Sequence, residues 1–263
     1  MYDFAYQKPA SIADAAKLLA DPEAKALAGG MTLIPVLKQR LNKPATVVDL
    51  SKLGLAGITV SGGMVAIGAM TTHVTVARSA EVKKAIPALA SLAANIGDRA
   101  VRYRGTIGGS LANNDPTADY PAAVLALGAT IKTNRRSIDA DSYFQGMFAT
   151  ALEPGEIITA VEFPVPEKAA YVKFPNPASR YAMVGVFVAK GPKGVRVAVT
   201  GAGQNGVHRH TAFEQALTKS WSAAALDGIA TPSAGLNSDI HGSAEYRAHL
   251  VGVMAKRAVA AAG

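Results

Sequence analysis

Apolar and polar positions alternate along this chain in short blocks, and the blocks change period several times. Behind Ser11, apolar residues recur at Ile12, Ala15, Ala16 and Leu19, the spacing of one helical face. Ser11 is a natural N-cap and Asp21-Pro22 a natural stop. No element is predicted before Ser11. "AKALAGG" then reads as a short buried strand closed by a glycine turn, "MTLIPVLKQRL" as a helix in spite of Pro35, and "ATVVDLSKL" as a β-branched strand. This opening block is a small α/β unit. In "GITVSGGMVAIG", two strands flank Gly62-Gly63, the signature of a hairpin. "SAEVKKAIPALASLAANIG" predicts one helix, "DYPAAVLALGATIKT" a helix then a strand, "RRSIDADSYFQGMF" a strand with a short helical stretch, and "EPGEIITAVEFPVP" a strand after a turn.

The segment "PVPEKAAYVKFPNPASRY" is punctuated by prolines and reads as a boundary near residue 165. Past it, "AMVGVFVAKGPKGVRVAVTGAG" predicts a hairpin of two apolar strands, and "HTAFEQALTKS" and "SAEYRAHLVGVMAKRAVAAA" predict helices. The expected units are residues 1–52, 53–166 and 167–263.

One run interrupts this regularity. "RYRGTIGGSLANNDPTADYPA", residues 102–122, concentrates glycine, small hydroxyl residues, asparagine, aspartate and proline between two apolar segments, and reads as a long polar loop. Its core, Thr106, Gly108, Gly109 and Ser110, repeats the grammar of "AGGMT" at Ala28 to Thr32: side-chain-poor backbone with hydroxyls beside it. Glycines let a ligand approach the main chain, and successive N–H groups at a helix start attract anions. Each run alone also reads as an ordinary turn. Two of them in one chain fit a ligand with two linked phosphates. Asp115 and Asp119 add acceptors, which would repel phosphates and so would meet a ribityl hydroxyl or a ring N–H. The structural reading of the same residues is a turn at Asp115-Pro116 and a helix cap at Asp119.

Composition narrows the classes. Of 263 residues, 49% are hydrophobic and 17% charged, which supports a packed core and argues against disorder. The 27 Lys and Arg against 19 Asp and Glu give a net charge of +8, compatible with nucleic acid, an anionic ligand or an acidic partner. The basic residues form no arm interleaved with aromatics, so nucleic acid is not expected. With no cysteine, disulfides and protein-ligated iron–sulfur clusters are excluded within the chain. No apolar run reaches the length of a membrane span, and a cytoplasmic protein is expected.

Two further motifs are discounted. "GAGQNG", residues 201–206, is a formal G-x-G-x-x-G after a strand, but no βαβ unit follows it and Asp227 does not end a next strand. His208 and His210 form H-x-H with no third ligand in view, so no metal site is expected. His73 reads as a cap or a pocket residue. No nucleophile–base arrangement and no pair of acid/base carboxylates is evident, so no catalytic side chain is expected. A cofactor would carry the chemistry.

"LAGGMTLIP" and "RYRGTIGGSLANNDPTADYPA" together, supported by "YDFAYQKPASIADAAKLL", "IGAMTTHVTVARS" and "EPGEIITAVEFP", resemble the FAD-binding medium subunits of molybdenum hydroxylases, the carbon monoxide dehydrogenase and xanthine dehydrogenase group. The likeness covers nearly the whole chain. It implies an α+β protein with the vanillyl-alcohol-oxidase (PCMH) type of FAD-binding fold: two α/β subdomains followed by a C-terminal antiparallel sheet-and-helix domain. It places Ala28, Gly29, Gly30, Met31 and Thr32 on the first pyrophosphate loop and Thr106, Ile107, Gly108, Gly109 and Ser110 on the second, with Leu33 and Asn114 as further cofactor-binding residues. By the same likeness Asp119 meets polar parts of the flavin, Ile158 faces the adenine, Lys173 is a basic contact, and Tyr181 lies beside the isoalloxazine ring.

Two departures from that pattern stand out. Met31 replaces a residue that is often polar, and Arg180 replaces one that is often acidic, which makes the mouth of the site more positive. The resemblance further implies partners: a large molybdenum-cofactor subunit and a small subunit with two [2Fe–2S] clusters, in a heterotrimer that delivers electrons to an external acceptor. The competing functions are a stand-alone FAD reductase of the same superfamily, which would need an acid to protonate a substrate carbon, and a basic nucleic-acid-binding protein.

Overall fold

The computed structural model describes residues 1–263. The N-terminal portion runs β1 (Ala5–Gln7), α1 (Ile12–Leu19), β2 (Ala24–Leu27), α2 (Leu33–Lys38) and β3 (Thr46–Asp49). Strand β3 is central, and β1 and β2 pair with it in parallel. A helix on each crossover is what allows parallel pairing. The Ser11 hydroxyl accepts from Asp14 N at 3.1 Å and starts α1, which stops just before Asp21. Pro35 is tolerated because it lies in the first turn of α2, where its missing N–H has no helical acceptor. Strand β1 corrects the sequence reading: three residues with every side chain exposed carry no periodic signal.

The middle portion contains β4 (Ile58–Ser61), β5 (Met64–Gly68), α3 (His73–Arg78), α4 (Ala80–Ala85), α5 (Pro87–Ala94), α6 (Arg99–Arg104), α7 (Ile107–Asn113), α8 (Tyr120–Leu127), β6 (Thr130–Thr133), β7 (Ser137–Asp139), α9 (Ala140–Tyr143), β8 (Phe144–Gly146), β9 (Ala149–Thr150) and β10 (Ile158–Pro164). Five strands form an antiparallel sheet in the order β4-β5-β10-β6-β7, and β8-β9 is a separate small hairpin. Gly62 and Gly63 have φ of +55° and +74°, the left-handed pair that a tight two-residue hairpin turn requires. Helix α8 buries all eight of its residues in the main core, beside Phe163 of β10.

Two expectations need correction here. The single helix foreseen over 79–97 is two helices, because Pro87 has no N–H to continue α4 and instead opens α5 at its first position. The run 102–122 is mostly helix rather than loop. Thr106 caps α7, Ile107 and Leu111 bury one face of it, and Asn114 closes it in the left-handed conformation at φ +44°. Burial and capping outweigh the low helix propensity of Gly108 and Gly109.

The C-terminal portion has β11 (Lys168–Pro175), β12 (Ala182–Gly191), β13 (Gly194–Thr200), β14 (His208–Arg209), α10 (Thr211–Lys219) and α11 (Ala244–Ala262). The four strands form an antiparallel sheet in sequence order. Residues of α10 and α11, Phe213, Leu250 and Met254 among them, pack with Val184, Val186 and Val199 in a second core. Strand β11 lies where the prolines suggest a boundary; they stand at its ends, and the register with β12 shifts only at Pro175. No helix is long and apolar enough to cross a membrane.

Candidate functional site

A cavity of about 650 Å³ opens between the parallel sheet and the middle portion, within the range of small-molecule sites at about 300–1,000 Å³. Loop 28–33 forms one wall; Thr106, Gly108, Gly109 and Ser110 form another. Leu19, Leu50, Met70 and Ile157 contribute one packed apolar cluster, with Ile158 next to it in sequence. Asp119, Arg180 and Tyr181 also face the cavity.

The first loop is an open row of donors. Strand β2 ends at Leu27, and Gly30 takes φ +77°, which turns the chain into α2. Gly29 lies against the Arg104-Gly105 peptide that joins α6 to the second loop: a Cβ placed there would fall 1.9 Å from Arg104 O. The N–H groups of Gly29, Gly30, Met31 and Thr32 donate to no backbone acceptor, and the Thr32 hydroxyl caps nothing. Four consecutive free donors at a helix start make an anion cradle.

The second loop differs from expectation. Ile107 N donates to Thr71 O at 3.1 Å, Gly108 N to Ala69 O at 2.9 Å and Gly109 N to the Thr106 hydroxyl at 3.1 Å. These donors are already engaged inside the protein. What this segment contributes is closeness. A Cβ on Gly109 would lie 2.9 Å from the Thr106 hydroxyl and 3.6 Å from Ala28 Cβ, so its bare backbone lies between its own cap and the first loop. Gly108 points the other way, where a Cβ would meet Ala69 Cβ at 2.6 Å and Ala69 O at 2.8 Å.

Three of the residues named from the sequence do not line the cavity. Ile107 is fully buried in the main core. The Asn114 amide donates to Gly146 O and Ala149 O, both at 2.8 Å, and so ties the small hairpin to α7. Lys173 stands behind Asp119, donating to its two oxygens at 3.0 and 3.1 Å and to Asn95 O at 2.8 Å. Asp119 itself is 4% exposed and does not cap α8; it accepts a third bond, on Oδ1, from the Tyr171 hydroxyl. Burial pushes its carboxyl up, while the Lys173 charge and the Tyr171 hydroxyl pull it down. Tyr181 remains 46% exposed, and Arg180 before it has φ +64°. Burial raises the Tyr181 hydroxyl, helped by Asp115 and Asp119.

His73 also lines the cavity, although it is only 4% exposed. Burial, with the nearby Arg102 charge, lowers its pKa to about 4, and its Nδ1 has no partner. Residues the sequence did not flag include Phe148, which presents its ring from β8-β9 at φ +54°, and Leu152 and Ser179. No local pattern marks them, because they reach the cavity through hairpin and loop geometry alone.

The G-x-G-x-x-G stretch lies elsewhere. Gln204 N bonds Gly235 O and Asn237 N bonds Ala202 O, and no helix starts at Gly206. His208 Nδ1 contacts Gly206 O, and His210 Nε2 contacts Thr231. A Cβ on Gly203 would press on Gly206 O at 2.7 Å and on the His208 ring, and none of residues 201–206 lines the cavity. Gly203→Ala is therefore expected to lower stability by about 1 kcal/mol or more and to leave cofactor content unchanged, as read by thermal melting and absorbance of the purified protein.

Residues 2–166 match the family described as the FAD binding domain in molybdopterin dehydrogenase, and residues 169–262 the CO dehydrogenase flavoprotein C-terminal domain. The chain is 37% identical to the carbon monoxide dehydrogenase medium chain of Afipia carboxidovorans, over 97% of this chain and 95% of that one. It is also 37% identical to the nicotine 6-hydroxylase medium subunit of Paenarthrobacter nicotinovorans, over 98% and 96%. The solved structure of reconstituted CO dehydrogenase from Oligotropha carboxidovorans is similar at a TM-score of 0.90 and 36% identity, covering 99% of this chain and 98% of that one. The site fits FAD on its own terms: the row of free N–H groups suits a pyrophosphate, and the apolar cluster suits a ring system. The chain belongs to the FAD-binding medium subunits of the molybdopterin dehydrogenases, an oxidoreductase component that joins a PCMH-type FAD-binding fold to a CO dehydrogenase-type C-terminal domain.

Proposed function

We propose that this chain relays electrons from the [2Fe–2S] clusters of a small partner subunit through FAD to an external acceptor, while a large partner oxidises the substrate at a molybdenum cofactor, in a heterotrimer. The observation that carries this reading is the cavity itself. It offers an anion cradle, an apolar cluster and a lysine-paired carboxylate, the groups that a bound dinucleotide cofactor requires. Equal identity to a carbon monoxide dehydrogenase chain and a nicotine hydroxylase chain argues that substrate choice belongs to another subunit.

In this reading the N–H groups of Gly29 to Thr32 hold the pyrophosphate, with the backbone of Gly109 close behind. Asp119 accepts from the ribityl chain or a ring N–H, Ile158 and its apolar neighbours cover the adenine, and Tyr181 shields the isoalloxazine. Arg180 adds positive charge at the mouth. When bound, FAD supplies the ability to take electrons singly and release them in pairs. The protein binds it, orients it and sets the charge around it.

The test is anaerobic mixing of the FAD-loaded chain with its reduced iron–sulfur partner. Bleaching of the flavin absorbance is expected. A chain that reduces its flavin directly with the organic substrate, in the absence of partners, would establish the stand-alone reductase instead.

A further inference from the structure

We propose that Tyr171 positions the Asp119 carboxylate for the cofactor, and that Gly185 is glycine to make room for the Tyr171 hydroxyl. The inference rests on the reading that Asp119 contacts FAD.

Tyr171 and Lys173 alternate along β11 and therefore share one face of the sheet. Across the ladder, Tyr171 faces Phe187 and Lys173 faces Gly185, and Gly185 in turn faces Thr200 of β13. Gly185 does not adopt a left-handed backbone, so conformational freedom does not explain it. Space does. A Cβ there would lie 2.3 Å from the Tyr171 hydroxyl oxygen and 2.9 Å from Thr200 Cγ2. The Tyr171 ring is fixed by stacking on Phe187 at 6.1 Å between centroids.

The same sheet also grips the main chain that carries Asp119. The Thr200 hydroxyl sits 2.7 Å from Ala118 O and 3.1 Å from Pro116 O, and Gly201 N donates to Pro116 O at 2.9 Å. Lys173 contacts the two carboxylate oxygens almost equally, which neutralises Asp119 without choosing between them. Tyr171 makes the choice. Its hydroxyl donates to Oδ1 and leaves Oδ2 with more capacity to accept from a ligand N–H or O–H. Tyr171 does not line the cavity, so it acts through Asp119 as a positioning residue. The C-terminal sheet thus acts on the cofactor site from behind, in addition to Ser179, Arg180 and Tyr181, which line the cavity directly.

The experiment is a double-mutant cycle on FAD affinity in the full chain, using Asp119→Asn, Tyr171→Phe, the pair, and Gly185→Ala. Asp119→Asn is expected to weaken FAD. Tyr171→Phe should weaken it about tenfold, the scale of one hydrogen bond to a charged group, shift the midpoint potential of the bound flavin, and leave the melting temperature of the apo chain close to wild type. In the Asp119→Asn background, Tyr171→Phe should add nothing. Gly185→Ala should reproduce the affinity loss of Tyr171→Phe; should that variant not fold, the cycle on Tyr171 decides alone, since it removes only a hydroxyl. An equal loss from Tyr171→Phe with or without Asp119, or no loss at all, overturns the positioning role. Unchanged affinity in Asp119→Asn instead removes the cofactor contact on which the inference rests, and the inference with it.

Discussion

Gly29→Ala is expected to yield a folded protein that purifies without flavin. The added Cβ would lie 1.9 Å from Arg104 O and 2.6 Å from Arg104 C, both main-chain atoms that no rotamer change can move aside. The first loop must retreat, and the donors of Gly29 to Thr32 retreat with it. Each charge-assisted hydrogen bond to a phosphate contributes about 1.5–3 kcal/mol, so the loss of two lowers FAD affinity by at least about a hundredfold. The parallel sheet survives, because the register of β2 with β3 ends at Leu27, before the altered residue. Absorbance of the purified protein, FAD titration and far-UV circular dichroism measure the three parts of this result. Flavin content equal to wild type would show that the cradle does not hold the cofactor. Gly109→Val should also lower flavin content, since its side chain enters the gap towards Ala28, and it should cost some stability, since its Cβ would lie 2.9 Å from the Thr106 hydroxyl that caps α7. Gly108→Val should instead lower stability, because its side chain meets the Ala69 backbone in the core.

The second large effect is a loss of stability in mild acid. His73 is buried neutral with a pKa of about 4 against 6.5 when exposed. Below pH 6.5 the unfolded chain takes up a proton that the folded chain refuses, so stability falls as pH drops from 6.5 to 4 and His73 adds no further loss below that. The shift corresponds to about 3 kcal/mol at the end of that window. A second fall comes from carboxylates with the same direction of shift. Glu156 is held at about 2 chiefly by its bonds to Arg136, against the cost of burial. At Asp49 burial raises the carboxyl, but Tyr6, Ser51 and Lys8 outweigh it and set it at about 2. Each contributes stability above its unfolded pKa that is lost as pH falls towards 2. Urea unfolding of the apo chain at stepped pH should show both falls, and His73→Gln should reduce the first, to which the buried His208 and His210 also contribute, while keeping the second. A wild-type stability that is flat between pH 6.5 and 4 would show that His73 is protonated without cost.

The sequence carried the local elements whose signals are short-range. The Ser11 cap and the apolar face behind it define α1, Gly62-Gly63 defines its hairpin, and the apolar run in α8 announces a buried helix, because caps, turns and periodicity depend on neighbouring residues only. The two glycine-rich runs suggest a ligand with two linked phosphates, and their resemblance, with the rest of the chain, to a known family carried the family and its FAD cofactor. Strands β1 and β11 were not legible: one is three exposed residues and the other is bracketed by prolines, and each is a strand only because a partner supplies its ladder. What tertiary structure alone decided is the division of labour at the site. Whether an N–H is free or engaged depends on an acceptor far away in sequence. Thr71 and Ala69 engage the donors of Ile107 and Gly108, while nothing reaches those of Gly29 to Thr32. Lys173 likewise looked like a direct contact, and the sheet register sets it behind Asp119 instead. A sequence names the groups a chain possesses; which of them remain available to a ligand is settled by the neighbours that folding brings against them.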